Sequence, residues 1–394
     1  MKKLCNFLFW FVGFNAAFFI FRDAFSIIKL IYTGAITLLS ILSIYRLLAE
    51  KRAGNLVFSL KMFGILMALL LCYWQYDSEL FAREITGTAA LFLMWGIFSR
   101  YPSDEECSLY LKGYKISLAI DFIYAGIQLI VLLIFKININ NYLLFYIGTA
   151  EDISTKISTR IAGLCWDPYV LGIFCATGFF LFKSKLIRFY ILVLLYFSSS
   201  RAGQLGLLAG CILFYWKDIK RKLNMRNICV FFLFLALIPM AVPFVVKTLD
   251  LDRGFSRQSS GWRRVEYIVC VPDVWATDSS VLPVLFGGAP VNSGARFYYS
   301  GIPTVTNTES RTPFWGIETD FFGIIYGRGI VGFLIYLYFY LYIFFHSKNR
   351  LLKTLCMCFF AAGIGYYFEF SIFSNFIFFF ALNKKSKEFD AIKK

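Results

Sequence analysis

FYILVLLYFSSSRAGQLGLLAG, residues 189–210, decides how the chain is read. One apolar run, Phe189–Ser198, gives way to a polar break around Ser198–Gly206, and a second run spans Leu205–Trp216. A membrane span needs about 20 mostly apolar residues, and shorter ones survive when neighbouring helices bury them. The pair therefore reads as two short spans joined by a tight hydrophilic turn, or as one bent, re-entrant unit. On either side the same kind of run recurs, from Leu4–Phe21 to Ser371–Leu382, about twelve in all, several of them short. The expectation is an all-α polytopic membrane protein with about 12 transmembrane helices.

Composition agrees. Hydrophobic residues make up 59% of the 394 and charged residues 16%, against roughly 25% charged in a soluble domain. The 40 basic and 24 acidic residues leave an excess that would suit nucleic acid. However, Lys and Arg fall in short clusters between apolar runs, as the positive-inside rule produces, so no nucleic-acid partner is expected. The ten cysteines lie mostly inside apolar segments and form no CxxC pair, so neither disulfides nor zinc is expected. His346 is the single histidine, which removes most metal-based and His-based mechanisms. The first run lacks a small-residue cleavage site and reads as a retained span.

With both termini cytoplasmic, clusters such as Lys183/Lys185/Arg188 and Lys217/Lys220/Arg221/Lys222/Arg226 face inward, and the opposite loops are nearly bare of charge. Residues 1–246 then hold spans one to nine with an outer loop at 136–160. Residues 247–318 form a large outer loop, and 319–394 hold spans ten to twelve and a cytoplasmic tail. The large loop carries seven basic and seven acidic residues, so it is not a mere electrostatic carpet. Long ordered loops commonly carry function.

Three constellations are candidates for chemistry. In Ser198–Arg201, Arg201 is a fixed cation with a donor fork suited to phosphate oxygens. It reads equally as a snorkelling loop arginine or as a functional charge at membrane depth. In Arg160–Gly172, Arg160 enters span six, Ile161–Phe182, and Pro168 with two glycines allows a broken helix facing a cavity; a structural kink beside belt residues Trp166 and Tyr169 is the other reading. In Arg311–Asp320, Glu318 and Asp320 read first as helix N-terminal capping, and otherwise as a general base. Arg263 and Arg264 read as solvated surface or as an anion-binding pair. Lys61, Asp121 and Glu369 read as buried charges that pair with one another or lie near span ends.

SSSRAGQLGLLAG resembles the Ser-x-Ser-Arg-x-x-x-Leu-Gly-Leu-Leu signature of the O-antigen polymerase and ligase superfamily. RIAGLCWDPYVLG resembles its upstream Arg-x-x-Gly…Pro-Asn…Gly stretch, and ETDFFGIIYGRGIVG the segment closing its large periplasmic loop. Their shared order covers most of residues 145–345. The resemblance implies a GT-C-like membrane fold in a bacterial inner membrane, with the active site facing the periplasm and neither metal nor cofactor. It also implies glycosyl transfer between undecaprenyl-diphosphate-linked oligosaccharides, as donor and acceptor. Membrane lipid surrounds the protein, and a chain-length regulator protein is a further candidate partner.

Carried over by position, Arg201 and Arg160 contact the lipid diphosphate and Glu318 is the catalytic base. Arg311, Arg263, Arg264, Asp320 and Ser200 hold substrate, and Trp315 with Tyr298 and Tyr299 stacks on sugar. The family's ligases carry a His-Asn pair at the end of the large loop. Aligned on Gly329–Gly332, Glu318 stands where that histidine would be, which favours the polymerase branch. A ligase, or a flippase with its binding charges at mid-membrane, is the alternative. Tyr169 departs from the family's usual asparagine.

Overall fold

The computed structural model describes residues 2–18, 26–50, 56–98, 102–140, 160–165, 167–216, 267, 269–278, 280–302, 317, 319–364 and 372–382. The described chain is mostly helical and, among these residues, contains no strand. In chain order the helices are α1 Lys2–Phe14, α2 Ser26–Glu50, α3 Leu56–Gln75, α4 Ser78–Phe98 and α5 Asp104–Phe135. There follow α6 Pro168–Leu181, α7 Lys185–Ser198 and α8 Arg201–Phe214. Then come three short helices, α9 Val271–Ala276, α10 Val281–Phe286 and α11 Gly294–Tyr299, and finally α12 Asp320–His346, α13 Arg350–Gly363 and α14 Ile372–Leu382.

Four stretches among the described residues are helices long and apolar enough to cross a membrane: Ile27–Ala49, Ser78–Phe98, Asp104–Phe135 and Asp320–His346. That is the property of an α-helical membrane protein, as the composition led us to expect. The expected span Ile228–Val246 lies outside the described residues.

Local chemistry sets the helix ends. Ser103 and Glu106 form a reciprocal capping box at the start of α5, and three carboxylates in its first turn complement the helix dipole. The expected span Ile161–Phe182 is corrected: α6 begins only at Pro168. Asp167 caps it by accepting from the Tyr169 N–H at 2.7 Å, and proline at the first helical position loses no hydrogen bond. Residues 163–165 form a separate buried 3-10 turn. The run expected from Leu205 instead starts its helix at Arg201.

Two compact units make up the fold, and each is described by itself: residues 1–63, 86–210 and 334–394, and residues 64–85 and 211–333. In the first, α1 lies along α5 at backbone distance. A Cβ on Gly13 would stand 2.2 Å from the Tyr110 carbonyl oxygen, and one on Gly113 2.2 Å from that of Trp10. Lipid is as apolar as leucine, so helices associate through close packing rather than hydrophobic transfer, and small residues at the crossing permit it. Aromatic rings fill the remaining space: Phe98 stacks on Phe379 at 3.9 Å and Tyr110 on Phe376 at 4.9 Å. Lys61, buried, donates to Asn375 Oδ1 at 2.7 Å.

In the second unit the end of α3 and the start of α4 pack with α9–α11 and the first part of α12. Tyr267, Val274, Phe297, Ile317 and Tyr326 form its core. Helix α12 is broken at Gly329, whose φ of 65° and ψ of −169° leave helical space. The break frees the Gly327 carbonyl, which accepts from the Gly288 and Ala289 N–H groups at 3.0 and 3.2 Å. Broken backbone in a membrane helix is tolerated when protein re-satisfies it in this way.

Candidate functional site

The polar break of residues 198–201 is a turn between two helices. Ser199 adopts the left-handed conformation (φ 50°) and ends α7, and Ser200 precedes α8 as its cap. The Ser200 hydroxyl accepts from the Gly203 N–H at 3.0 Å, an N-cap bond, and donates to the Tyr169 carbonyl at 3.3 Å. Ser200 is fully buried. Its place there depends on glycine, because a Cβ on Gly172 would stand 2.2 Å from Ser200 Cβ, and one on Gly203 2.4 Å from the Gly172 backbone. Helices α6 and α8 thus cross in contact immediately behind the turn.

Arg201 is the first residue of α8 and is exposed. No described residue hydrogen-bonds or pairs with its guanidinium. A cation in the first turn opposes the helix dipole by ~0.3–1 kcal/mol, so helix stability does not explain it. An anion arriving there would meet both the guanidinium and the positive end of the helix.

Arg160 stands differently. Its Nε donates to the Ser198 carbonyl at 2.8 Å and its Nη2 to the Ser199 carbonyl at 3.1 Å. These belong to the last carbonyls of α7, which have no partner inside the helix. The guanidinium also lies over the Tyr169 ring, 4.6 Å from its centroid.

Behind Arg160, a buried polar network from α5 and the residues after it holds the 160–165 turn. Gln128 Oε1 accepts from the Ala162 and Gly163 N–H groups at 3.1 and 2.9 Å. Gln128 Nε2 donates to Asn138 Oδ1 at 2.8 Å, and Asn138 Nδ2 donates to the Arg160 carbonyl at 3.2 Å. Asn140 Nδ2 donates to the Gly163 carbonyl at 2.9 Å. Asp121 accepts from the Leu164 N–H at 2.6 Å and the Cys165 thiol at 3.2 Å. The sequence expectation for Asp121, a charge partner or a span end, is therefore replaced by this role inside α5. Gly163 needs its φ of 61° to make the turn, and a side chain there would meet Asp121 Oδ1 at 2.4 Å. Gln128, Asn138 and Asn140 escaped the sequence reading; amides in or beside an apolar run were the available signal.

The second unit places Asp320 in the first turn of α12, buried. Thr319 caps that helix, its hydroxyl accepting from the Phe322 N–H at 3.3 Å. Glu84, buried in α4, accepts from the Val291 and Asn292 N–H groups at 2.7 Å each and from Asn292 Nδ2 at 3.0 Å. It anchors the loop before α11 and was likewise missed. Arg296 is buried, ion-paired with Asp278, and donates to the Pro283 carbonyl at 2.8 Å. Burial pushes the Asp278 carboxyl up, against the pull of Arg296.

Tyr299 donates to Asp77 Oδ2 at 2.8 Å and stacks on Tyr76 at 4.9 Å between ring centroids. Burial, followed by this bond to Asp77, pushes the Tyr299 phenol up to about 12. Asp77 is held below its ordinary value, chiefly by the Leu80 N–H and then by Tyr299.

No described protein family matches the chain, and no curated protein matches it. Of the residues singled out by sequence, Arg160, Ser200 and Arg201 are gathered at one turn. Glu318, Arg311, Arg263, Arg264, Trp315, Trp166 and Glu369 lie outside the described residues.

Proposed function

We propose that the chain is a Wzy-type O-antigen polymerase: a glycosyltransferase of about twelve spans that joins undecaprenyl-diphosphate-linked repeat units at the periplasmic face of the inner membrane. The observation that carries this reading is the exposed Arg201 on a glycine-packed turn, between two apolar helices, in the segment that resembles the family signature.

In the reaction, a hydroxyl of the acceptor sugar attacks the anomeric carbon of the donor glycan. The bond from that carbon to the diphosphate oxygen breaks, and its electron pair leaves with undecaprenyl diphosphate. Arg201 offsets the charge that develops on the leaving group, an interaction strengthened where water is excluded. The hydroxyl proton passes to a carboxylate, for which Glu318 is proposed. Asp320, Arg311, Arg263, Arg264 and Trp315 are proposed around the acceptor, on the large outer loop and at its end.

Lipopolysaccharide banding in a deletion strain tests the reading. A polymerase leaves one repeat unit on the core, whereas a ligase or flippase leaves bare core. Wild-type protein is expected to restore the ladder, and Arg201→Ala to leave single repeats at equal membrane abundance. A normal ladder from that variant would overturn the assignment.

A further inference from the structure

The 160–165 segment is irregular backbone closed by a 3-10 turn, and its residues 161–165 are buried, where unmet backbone groups carry a heavy cost. Gln128, Asn138 and Asn140 meet those groups and leave the Arg160 side chain directed at the end of α7. We propose that Arg160 is a positioning residue: anchored through Gln128 and Asn138, its guanidinium clamps the Ser198 and Ser199 carbonyls and thereby sets where Arg201 stands. This rests on the reading of Arg201 as the cation that meets the diphosphate.

Two features favour the clamp over direct contact with an anion. A phosphate is gripped by two parallel N–H donors, and the Nε–Nη2 edge of Arg160, one of the guanidinium edges that could supply such a pair, already points to carbonyls. One face of the guanidinium plane is also covered by Tyr169. The chain of contacts is continuous from Gln128 through the turn backbone and Arg160 to Ser199, two residues before Arg201.

Side-chain topology supplies a test. A glutamine amide nitrogen occupies the same place along the side chain as arginine Nε, so Arg160→Gln keeps a donor to Ser198 without the charge. Arg160→Lys keeps the charge but has carbon at that place. Two readouts on the full chain are needed: polymer length in cells, and hydrogen exchange of the 197–204 amides in purified protein. Arg160→Gln is expected to hold both within about threefold of wild type, while Arg160→Lys and Gln128→Leu lose at least about tenfold of long polymer, the scale of one hydrogen bond to a charged group. In the latter two variants the 197–204 amides also exchange faster.

Wild-type polymer from Arg160→Lys with none from Arg160→Gln would overturn the clamp and make Arg160 a charge contact. Unchanged exchange in both Arg160→Lys and Gln128→Leu would overturn it as well. Arg201→Gln separates the two claims. A normal ladder from that variant would remove the catalytic reading alone, and the exchange pattern would still decide the clamp.

Discussion

Arg160 and Arg201 carry the same charge at opposite kinds of helix end. Arg160 meets the carbonyls that finish α7, where a cation is favoured, and Arg201 opens α8, where it is not. Their removal should therefore affect stability in opposite senses. Arg160→Ala is expected to cost about 2–4 kcal/mol, because it strips hydrogen bonds to a charged group from carbonyls at a partly buried helix end. Arg201→Ala should leave the thermal midpoint unchanged or slightly raised, as happens when a residue kept for function is removed. Thermal unfolding in detergent distinguishes the two, and a lowered midpoint for Arg201→Ala would speak against its reading as a functional charge.

A pH effect also belongs to single residues. The Tyr299 phenol titrates higher in the folded chain than its ordinary value of 10.0, at about 12. Its contribution to stability is therefore complete below about pH 10 and is lost as pH rises through 12. Asp77, held low, contributes above its ordinary value of 3.8 and loses that contribution as pH falls below it. Difference absorbance titration of wild type against Tyr299→Phe should place the phenolate transition near 12; a transition at 10 would mean that neither the burial of the phenol nor its bond to Asp77 persists.

At the scale of elements, the crossing of α6 and α8 at Gly172 and Gly203 sets the site. Gly203→Ala would put a methyl group 2.4 Å from the Gly172 backbone, and backbone cannot step aside as a flexible side chain can. The expected cost is at least the 1–3 kcal/mol typical of overpacking, with reduced membrane abundance and a shortened ladder. Gly210→Ala should be milder, because its Cβ would meet the side chains of Cys358 and Phe180 at 2.6 Å. Equal midpoints for wild type and Gly203→Ala would show that the helices do not meet there.

The helices were legible from the sequence wherever the signal was local. The apolar run Phe189–Ser198 matches its helix closely, whereas the helix starts at Pro168 and Arg201 and the break at Gly329 differ from the runs read from Ile161, Leu205 and Asp320. What escaped depends on distant partners. Nothing near Gln128 in sequence announces two amides on residues 162 and 163, and nothing near Glu84 announces residues 291 and 292. The grip of Arg160 on α7 also follows from the left-handed turn at Ser199. Serine does not advertise that conformation as glycine does.

For the whole molecule, the helices fit a membrane protein, and the reading of its orientation rests on where Lys and Arg cluster. Reporter fusions after Lys222 and within residues 247–318 are expected to report cytoplasm and periplasm respectively. The reverse would move Arg201 to the side away from the proposed chemistry. The most direct measurement is reconstitution: purified protein in lipid vesicles, given undecaprenyl-diphosphate-linked repeat units as the only substrate. Wild type is expected to yield lipid-linked glycans of two or more repeats with release of undecaprenyl diphosphate, and Arg201→Ala to yield neither. Substrate left unextended by the wild-type protein, or extended equally by the variant, would contradict the polymerase reading.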